Sequence, residues 1–292
     1  MIQHNIMVAL SAIISFIIYF FLGQYLIWYY VFLIPFYFIG SYVLLLLLYM
    51  LFIGFVSWFL TKKDIPEKPN IFFYGIIRET AIFTLFFSRC KVKKINTKKE
   101  PRKTRYLIVA NHKSNYDPII IFKCLKENPI ICVTKPEILE KPVIGKWARY
   151  SGFIPIYRDD LQQSAEAISK ATKYIKDDKS SICIFPEGTR NYNDDLLDFH
   201  PGSFKIAYRS KCPIVIASIK DSREIKKNFP FRRTKVTFKI LEVLNPEDYS
   251  DKSTSEIAKY AKELIEEDLK KWWKFPSLFL LFKAYKAIIC YI

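Results

Sequence analysis

Two short stretches of the chain hold residue types able to move a proton and to hold an anion. The first is Ala110-Asn111-His112-Lys113-Ser114-Asn115-Tyr116-Asp117-Pro118. It follows the apolar run 106–110, so His112 stands where a strand gives way to a loop. Asp117 before Pro118 reads as a helix N-cap with proline at the first helical position. On that reading Asp117 only caps a helix and His112 is an ordinary loop histidine. The other reading folds the turn back until the carboxylate meets His112 Nδ1. This would fix the tautomer and leave Nε2 as a general base.

The second stretch is Phe185-Pro186-Glu187-Gly188-Thr189-Arg190, after the apolar run 181–185. A turn that combines glycine with an arginine suits a phosphate. Glycine lets the backbone approach closely, and a guanidinium can hold two phosphate oxygens. Taken alone, the stretch fits a surface turn with an ion pair equally well. The three histidines and six cysteines give no zinc-ligand spacing. No Cys-x-x-Cys is present, and most of the cysteines sit in apolar runs, as buried thiols of a reducing compartment do.

These stretches need a scaffold, and the pattern around them supplies one. Strands are predicted at 106–110, 130–133, 153–156, 181–185, 213–219 and 236–243. Helices are predicted from 119 to 125 and over 162–175, 204–209 and 255–269, the last with Ile257, Tyr260, Ala261, Leu264 and Ile265 inward. Strands alternating with helices make this an α/β domain with a mixed sheet flanked by helices. Residues 72–89 read as an aromatic helix that lies against a membrane or packs the leader onto the domain. The stretch 89–105 reads as a basic segment.

What precedes this domain is of another kind. The 292-residue chain carries 45 basic and 28 acidic residues, a formal charge of +17, yet no Asp, Glu, Lys or Arg occurs before Lys62. Residues 6–60 are almost continuously apolar, well beyond the ~18 residues that suggest a membrane span. They are predicted to form an N-terminal hydrophobic helical hairpin, broken near Gly23-Gln24-Tyr25 or at Pro35, that spans the membrane or dips into one leaflet. A cleaved signal peptide does not fit, because there is no basic n-region and the apolar stretch is too long. Lys62 and Lys63 open the basic part, which the positive-inside rule places on the cytoplasmic side. The expected division is therefore 1–61 hairpin, 62–274 α/β domain and 275–292 an interfacial C-terminal segment.

Together the two stretches resemble the glycerolipid acyltransferase family, most closely its 1-acylglycerol-3-phosphate acyltransferases. In that family a histidine, four residues and an aspartate precede a Glu-Gly-Thr-Arg block. Here Asn111, His112, Asp117 and Glu187 to Arg190 match residue for residue. Gly152-Phe153-Ile154-Pro155-Ile156-Tyr157-Arg158 is similar to the family's second block, with Tyr157 where bacterial members often carry an acid. Pro213-Ile214-Val215 is similar to the fourth. The resemblance covers roughly 75–245.

The resemblance implies a membrane-bound O-acyltransferase with its catalytic domain on the cytoplasmic face of a bacterial cytoplasmic membrane or endoplasmic reticulum. It would move a fatty acyl group from acyl-CoA or acyl carrier protein to the sn-2 hydroxyl of lysophosphatidate, forming phosphatidate. It implies catalysis by His112 and Asp117. Arg190, Glu187, Gly188, Thr189, Arg158, Asn111 and Lys135 would hold or position substrate, Asn111 and the backbone near Gly188 being placed to stabilise an oxyanion. No metal or cofactor is implied, and no nucleic acid. Acylation of glycerol 3-phosphate or another lysophospholipid is the alternative acceptor reading. A membrane-tethered basic binding or scaffold protein is the non-enzyme alternative, and it leaves both stretches unexplained.

Overall fold

The protein is described by a computed structural model covering residues 2–23, 32–60, 65–157, 159–191 and 195–271. Arg158, Lys62 and Lys63, and the expected interfacial tail beyond 271 lie outside the described residues. The chain packs as two compact units. One comprises residues 1–87 and 135–153, the other 88–134 and 154–292.

The sheet unit holds seven strands: β1 Cys90–Ile95, β2 Leu107–Ala110, β3 Ile130–Thr134, β4 Ile154–Pro155, β5 Ser181–Ile184, β6 Ile214–Lys220 and β7 Thr234–Leu244. Their order is β1-β7-β6-β2-β5-β3-β4. Strands β6, β2, β5, β3 and β4 are mutually parallel. β7 pairs antiparallel to β6 and parallel to β1, which makes the sheet mixed, as the sequence pattern predicts. The central strands are apolar without alternation because both sheet faces are covered: every residue of β2 is fully buried. The helix Leu161–Lys176 starts at Asp160, whose side chain accepts the Gln163 N–H. The helix Thr254–Lys271 packs on β6 through Ile257, Ala258, Ala261 and Ile265. Its Tyr260 faces outward instead, donating its hydroxyl to Glu242.

β1 is the strand that the sequence pattern conceals. It lies within the stretch read as a basic segment, and its burial follows Cys90 and Val92, with Lys91, Lys93 and Lys94 outward. Lysines on an edge strand discourage pairing with another chain, so its composition fits its place in the sheet.

The helical unit contains the helices Ile2–Gly23 and Ile34–Phe59, the second with Pro35 in its first turn, together with Ile71–Phe87 and Ile144–Ser151. The first helix ends at Gly23, at one of the two alternative breaks, and the second opens at Ile34, one residue before the other. Both helices are long and apolar enough to cross a membrane. The helix Ile71–Phe87 packs on Ile2–Gly23 and Ile144–Ser151. Ile53, Leu60 and Trp147 form the buried centre, with Phe73, Ile76 and Tyr150 packed around them. Trp147 Nε1 donates to Ser57 Oγ at 2.6 Å. At Gly145 a Cβ would lie 2.5 Å from the Leu139 carbonyl oxygen, so only glycine lets this helix approach the preceding turn.

Candidate active site

β2 and β5 are parallel neighbours, with Ile108 opposite Cys183 and Val109 opposite Ile184. Running that register past the strand ends puts Asn111 and His112 beside Pro186 and Glu187, although 75 residues separate the two stretches. The C-terminal ends of adjacent parallel strands are where an α/β sheet gathers its functional loops.

Asp117 does fold back. Its Oδ2 lies 2.9 Å from His112 Nδ1 and accepts the backbone N–H groups of Lys113 and Ser114, each at 2.7 Å. It stands inside the first turn of the helix Asp117–Cys124, one residue past the N-cap Tyr116. The carboxylate therefore braces the loop before the helix, and the N-cap reading is replaced by the histidine-pairing one. Asp117 is fully buried, whereas 17% of the His112 side chain remains exposed. An ionised Asp117 accepts Nδ1–H and leaves Nε2 as the basic nitrogen of the neutral ring. The Phe185 ring stacks on the imidazole, with centroids 4.2 Å apart and planes at 18°. That contact is absent from the residues singled out in the sequence. An apolar residue ending a strand carries no sign of what its face will meet.

Glu187 and Asn111 have roles different from those expected. Glu187 is buried and spends both oxygens on backbone: Oε1 accepts His112 N–H at 2.7 Å and Oε2 accepts Leu197 N–H at 3.1 Å. It binds one stretch to the other and holds the 195–200 loop through these two backbone contacts. Asn111 is fully buried. Its amide donates to Ile219 O and accepts Ile219 N–H, both at 2.8 Å, which extends the β2–β6 pairing through a side chain. It is a bracket between β2 and β6, each polar end engaged with the Ile219 backbone.

Gly188 has a positive φ of 74° and donates its N–H to Phe185 O at 3.0 Å. This closes a turn with proline second and glycine fourth, positions those residues favour. That N–H is consequently unavailable to an oxyanion. The turn sends Thr189 and Arg190 outward into solvent. Arg190 Nη1 donates to Asn115 Oδ1, and Asn191 N–H donates to His112 O at 2.9 Å, so these hydrogen bonds, with that of Glu187 and the Phe185 ring contact, join the two loops. Lys135 is exposed at the N-cap of the helix Pro136–Leu139 and belongs to the helical unit.

The remaining nucleophiles near the pair are held in place. Ser114 Oγ accepts Tyr116 N–H at 3.3 Å within its own turn. Burial, then its hydrogen bond with Cys132 and the Asp117 charge, push the Cys183 thiol far up, so it stays protonated. The five described cysteines are free and buried. Among the described residues no three His, Cys, Asp or Glu side chains gather as metal ligands would.

A buried carboxylate behind a partly exposed imidazole, with an exposed arginine in the neighbouring loop, is an arrangement chemically able to supply a general base and to hold an anion. Residues 91–220 match the family model described as Acyltransferase. The chain is similar to the probable 1-acyl-sn-glycerol-3-phosphate acyltransferase of Mycoplasma genitalium, 26% identical over 74% of this chain and 85% of that protein. With the Mycoplasma pneumoniae protein of the same name it is 32% identical over 54% of this chain and 60% of that protein. Its fold is similar to the crystal structure of the 1-acyl-sn-glycerophosphate acyltransferase of Thermotoga maritima. There the TM-score is 0.55 and the identity 22%, over 68% of this chain and 79% of that one.

Proposed function

We propose that the protein is a membrane-bound 1-acylglycerol-3-phosphate O-acyltransferase, making phosphatidate from lysophosphatidate. The observation that carries this reading is the His112–Asp117 pair fixed at the joined ends of β2 and β5, with Arg190 exposed beside it. The names of the relatives support the choice of acceptor.

The sn-2 hydroxyl is a weak nucleophile at neutral pH. As its oxygen attacks the thioester carbonyl carbon, its proton passes to His112 Nε2. The new C–O bond forms, the C–S bond breaks, and the departing thiolate takes the proton back from the imidazolium. Asp117 stabilises that imidazolium through Nδ1–H, and the Phe185 face lies against it. Help of this kind is worth ~10²–10⁴ in rate. Arg190 takes the glycerol phosphate, its guanidinium oriented by Asn115, with Thr189 at its side and Arg158 assisting. Glu187 and Gly188 position the loop that presents them. The donor is acyl-CoA or acyl carrier protein, both anionic and drawn to a +17 chain. The apolar helices anchor the enzyme, with the sheet unit on the cytoplasmic side.

The test uses membranes holding the wild type or His112→Ala, supplied with labelled acyl-CoA or acyl carrier protein and either lysophosphatidate or glycerol 3-phosphate. Phosphatidate from lysophosphatidate is expected, falling ~10³-fold or more in the variant at equal protein level. Product from glycerol 3-phosphate alone would reassign the acceptor. No product from either would overturn the reading.

A further inference from the structure

The connection between β6 and β7 carries two large apolar side chains in solvent: Phe229 is 50% exposed and Phe231 85%. The loop is nonetheless firmly built. Ile225 anchors it in the core, Phe229 N–H donates to Ile225 O at 3.1 Å, and Arg232 N–H donates to Asn228 O at 2.7 Å. Asn228 Nδ2 donates to Thr234 Oγ1 at 3.0 Å, and Arg89 Nη1 donates to Phe231 O at 3.2 Å. The two rings are thus held outward by a loop whose backbone has its own partners.

Their surroundings are cationic. Residues 223–233 contain Arg223, Lys226, Lys227, Arg232 and Arg233 against Glu224 alone. Lys226, Lys227, Arg232 and Arg233 are all exposed. Lys91 and Lys235, register partners on β1 and β7, add two more exposed cations next to the loop. Aromatic side chains flanked by lysine and arginine suit the boundary of an anionic bilayer. Rings enter among the acyl chains there while the cations meet lipid phosphates.

The topology gives this loop its direction. β6 runs parallel to β2, so the C-terminal end of β6, where the loop begins, lies at the same sheet end as His112. β7 starts there too, because Lys220 pairs with Thr237 in the antiparallel register. We infer that Phe229, Phe231 and the basic residues around them form a membrane-docking surface on the sheet unit that inserts into an anionic bilayer and turns the His112 end of the sheet toward the lipid. This contact is separate from the apolar leader helices, and it does not depend on which acyl acceptor the site uses.

The full-length protein, in a Cys290→Ser background and reconstituted in lipid nanodiscs, allows a test that needs no catalysis. An environment-sensitive fluorophore is placed at Phe231→Cys. A control is placed at Lys179→Cys, an exposed position at the opposite, N-terminal end of β5. Discs contain phosphatidylcholine with or without phosphatidylglycerol, and quenching by brominated lipid is compared with quenching by aqueous iodide. The Phe231 probe is expected to be quenched by lipid and shielded from iodide in anionic discs only, with the Lys179 probe behaving oppositely. Adding Arg232→Ser and Arg233→Ser should weaken that lipid association by roughly 10- to 30-fold. A Lys226→Cys probe reads the same surface should the Phe231 variant fold poorly. Lipid quenching equal at 231 and 179 would overturn the inference. So would equal quenching in neutral and anionic discs. A Phe231 probe shielded from both quenchers would place it under protein, as in a second copy or the chain's own tail, and would overturn it too.

Discussion

The two units invert each other. In the sheet unit the buried positions are Leu107, Ile108, Val109, Ile131, Ile182 and their like, and Asn111 and Glu187 inside it are each held by two backbone contacts. In the two apolar helices the largest side chains point outward, with Leu51 67% exposed and Trp58 80%, while Ser11, Ser15, Ser41 and Ser57 are buried. Ser11 and Ser15 return their hydroxyls to carbonyls four residues back, and Ser41 reaches across to Ser11 O at 3.4 Å. Small residues let helix backbones approach closely where lipid provides no hydrophobic drive between helices. An apolar residue therefore marks the inside of the sheet unit, whereas in the two apolar helices most of the large apolar side chains lie on the outer face.

A matched pair of substitutions is the strongest way to break this contrast. Ile108→Ser should destabilise the sheet unit by about 5 kcal/mol, from the lost methyl groups, the cavity and a stranded hydroxyl. Leu51→Ser should leave thermal unfolding in detergent nearly unchanged and instead loosen retention by the bilayer. Equal unfolding shifts would sink the inversion. Asn111→Asp tests the polar bracket: one oxygen would then face the Ile219 carbonyl and must carry a proton to keep the contact. A loss of about 3–4 kcal/mol is expected at neutral pH. Because folding raises the pKa of such a carboxyl, the loss should shrink as pH falls towards roughly 4. Denaturant titration at two pH values reads it.

Two further changes sharpen the picture around the site. Glu187→Gln leaves either the His112 or the Leu197 N–H facing an amide NH₂. It should cost about 1–3 kcal/mol in stability and lower kcat more than it raises KM for the acceptor. A pure KM effect would return Glu187 to direct substrate contact. Phe185→Leu removes only the ring against the imidazole. A roughly 2- to 5-fold fall in kcat is expected, with rescue by Phe185→Tyr; an unchanged kcat would make the stacking incidental.

The sheet unit was legible where local pattern and solvent agree. The uninterrupted apolar runs before Asn111 and Phe185 marked β2 and β5, whereas the His112–Asp117 spacing left a cap and a pair both open, and only the resemblance that joins it to Glu187–Arg190 favoured the pair. β1 was not legible, since an edge strand with outward lysines has the composition of a basic linker. The roles of Glu187 and Asn111 were hidden for another reason: their partners are backbone groups of His112, Leu197 and Ile219, which composition does not name. The hydrophobic leader announced itself. However, nothing in residues 135–153 reveals that Trp147 and Tyr150 pack against it, because an amphipathic helix looks the same whichever unit covers it. The expected cut between 61 and 62 is therefore not where packing divides the chain.

That interleaving bears on how the protein is built and handled. The first two apolar helices leave the ribosome long before Trp147, so the centre of their own unit stays unfinished until all of β1, β2 and β3 have been synthesised. A fragment begun at residue 62 to obtain a water-soluble enzyme would retain Phe73, Trp147 and Tyr150 without Ile53, Val56 and Leu60 to cover them. Such a fragment should be aggregation-prone by design of the chain itself, and a usable one must either keep the leader or replace the apolar face of residues 144–151 along with it.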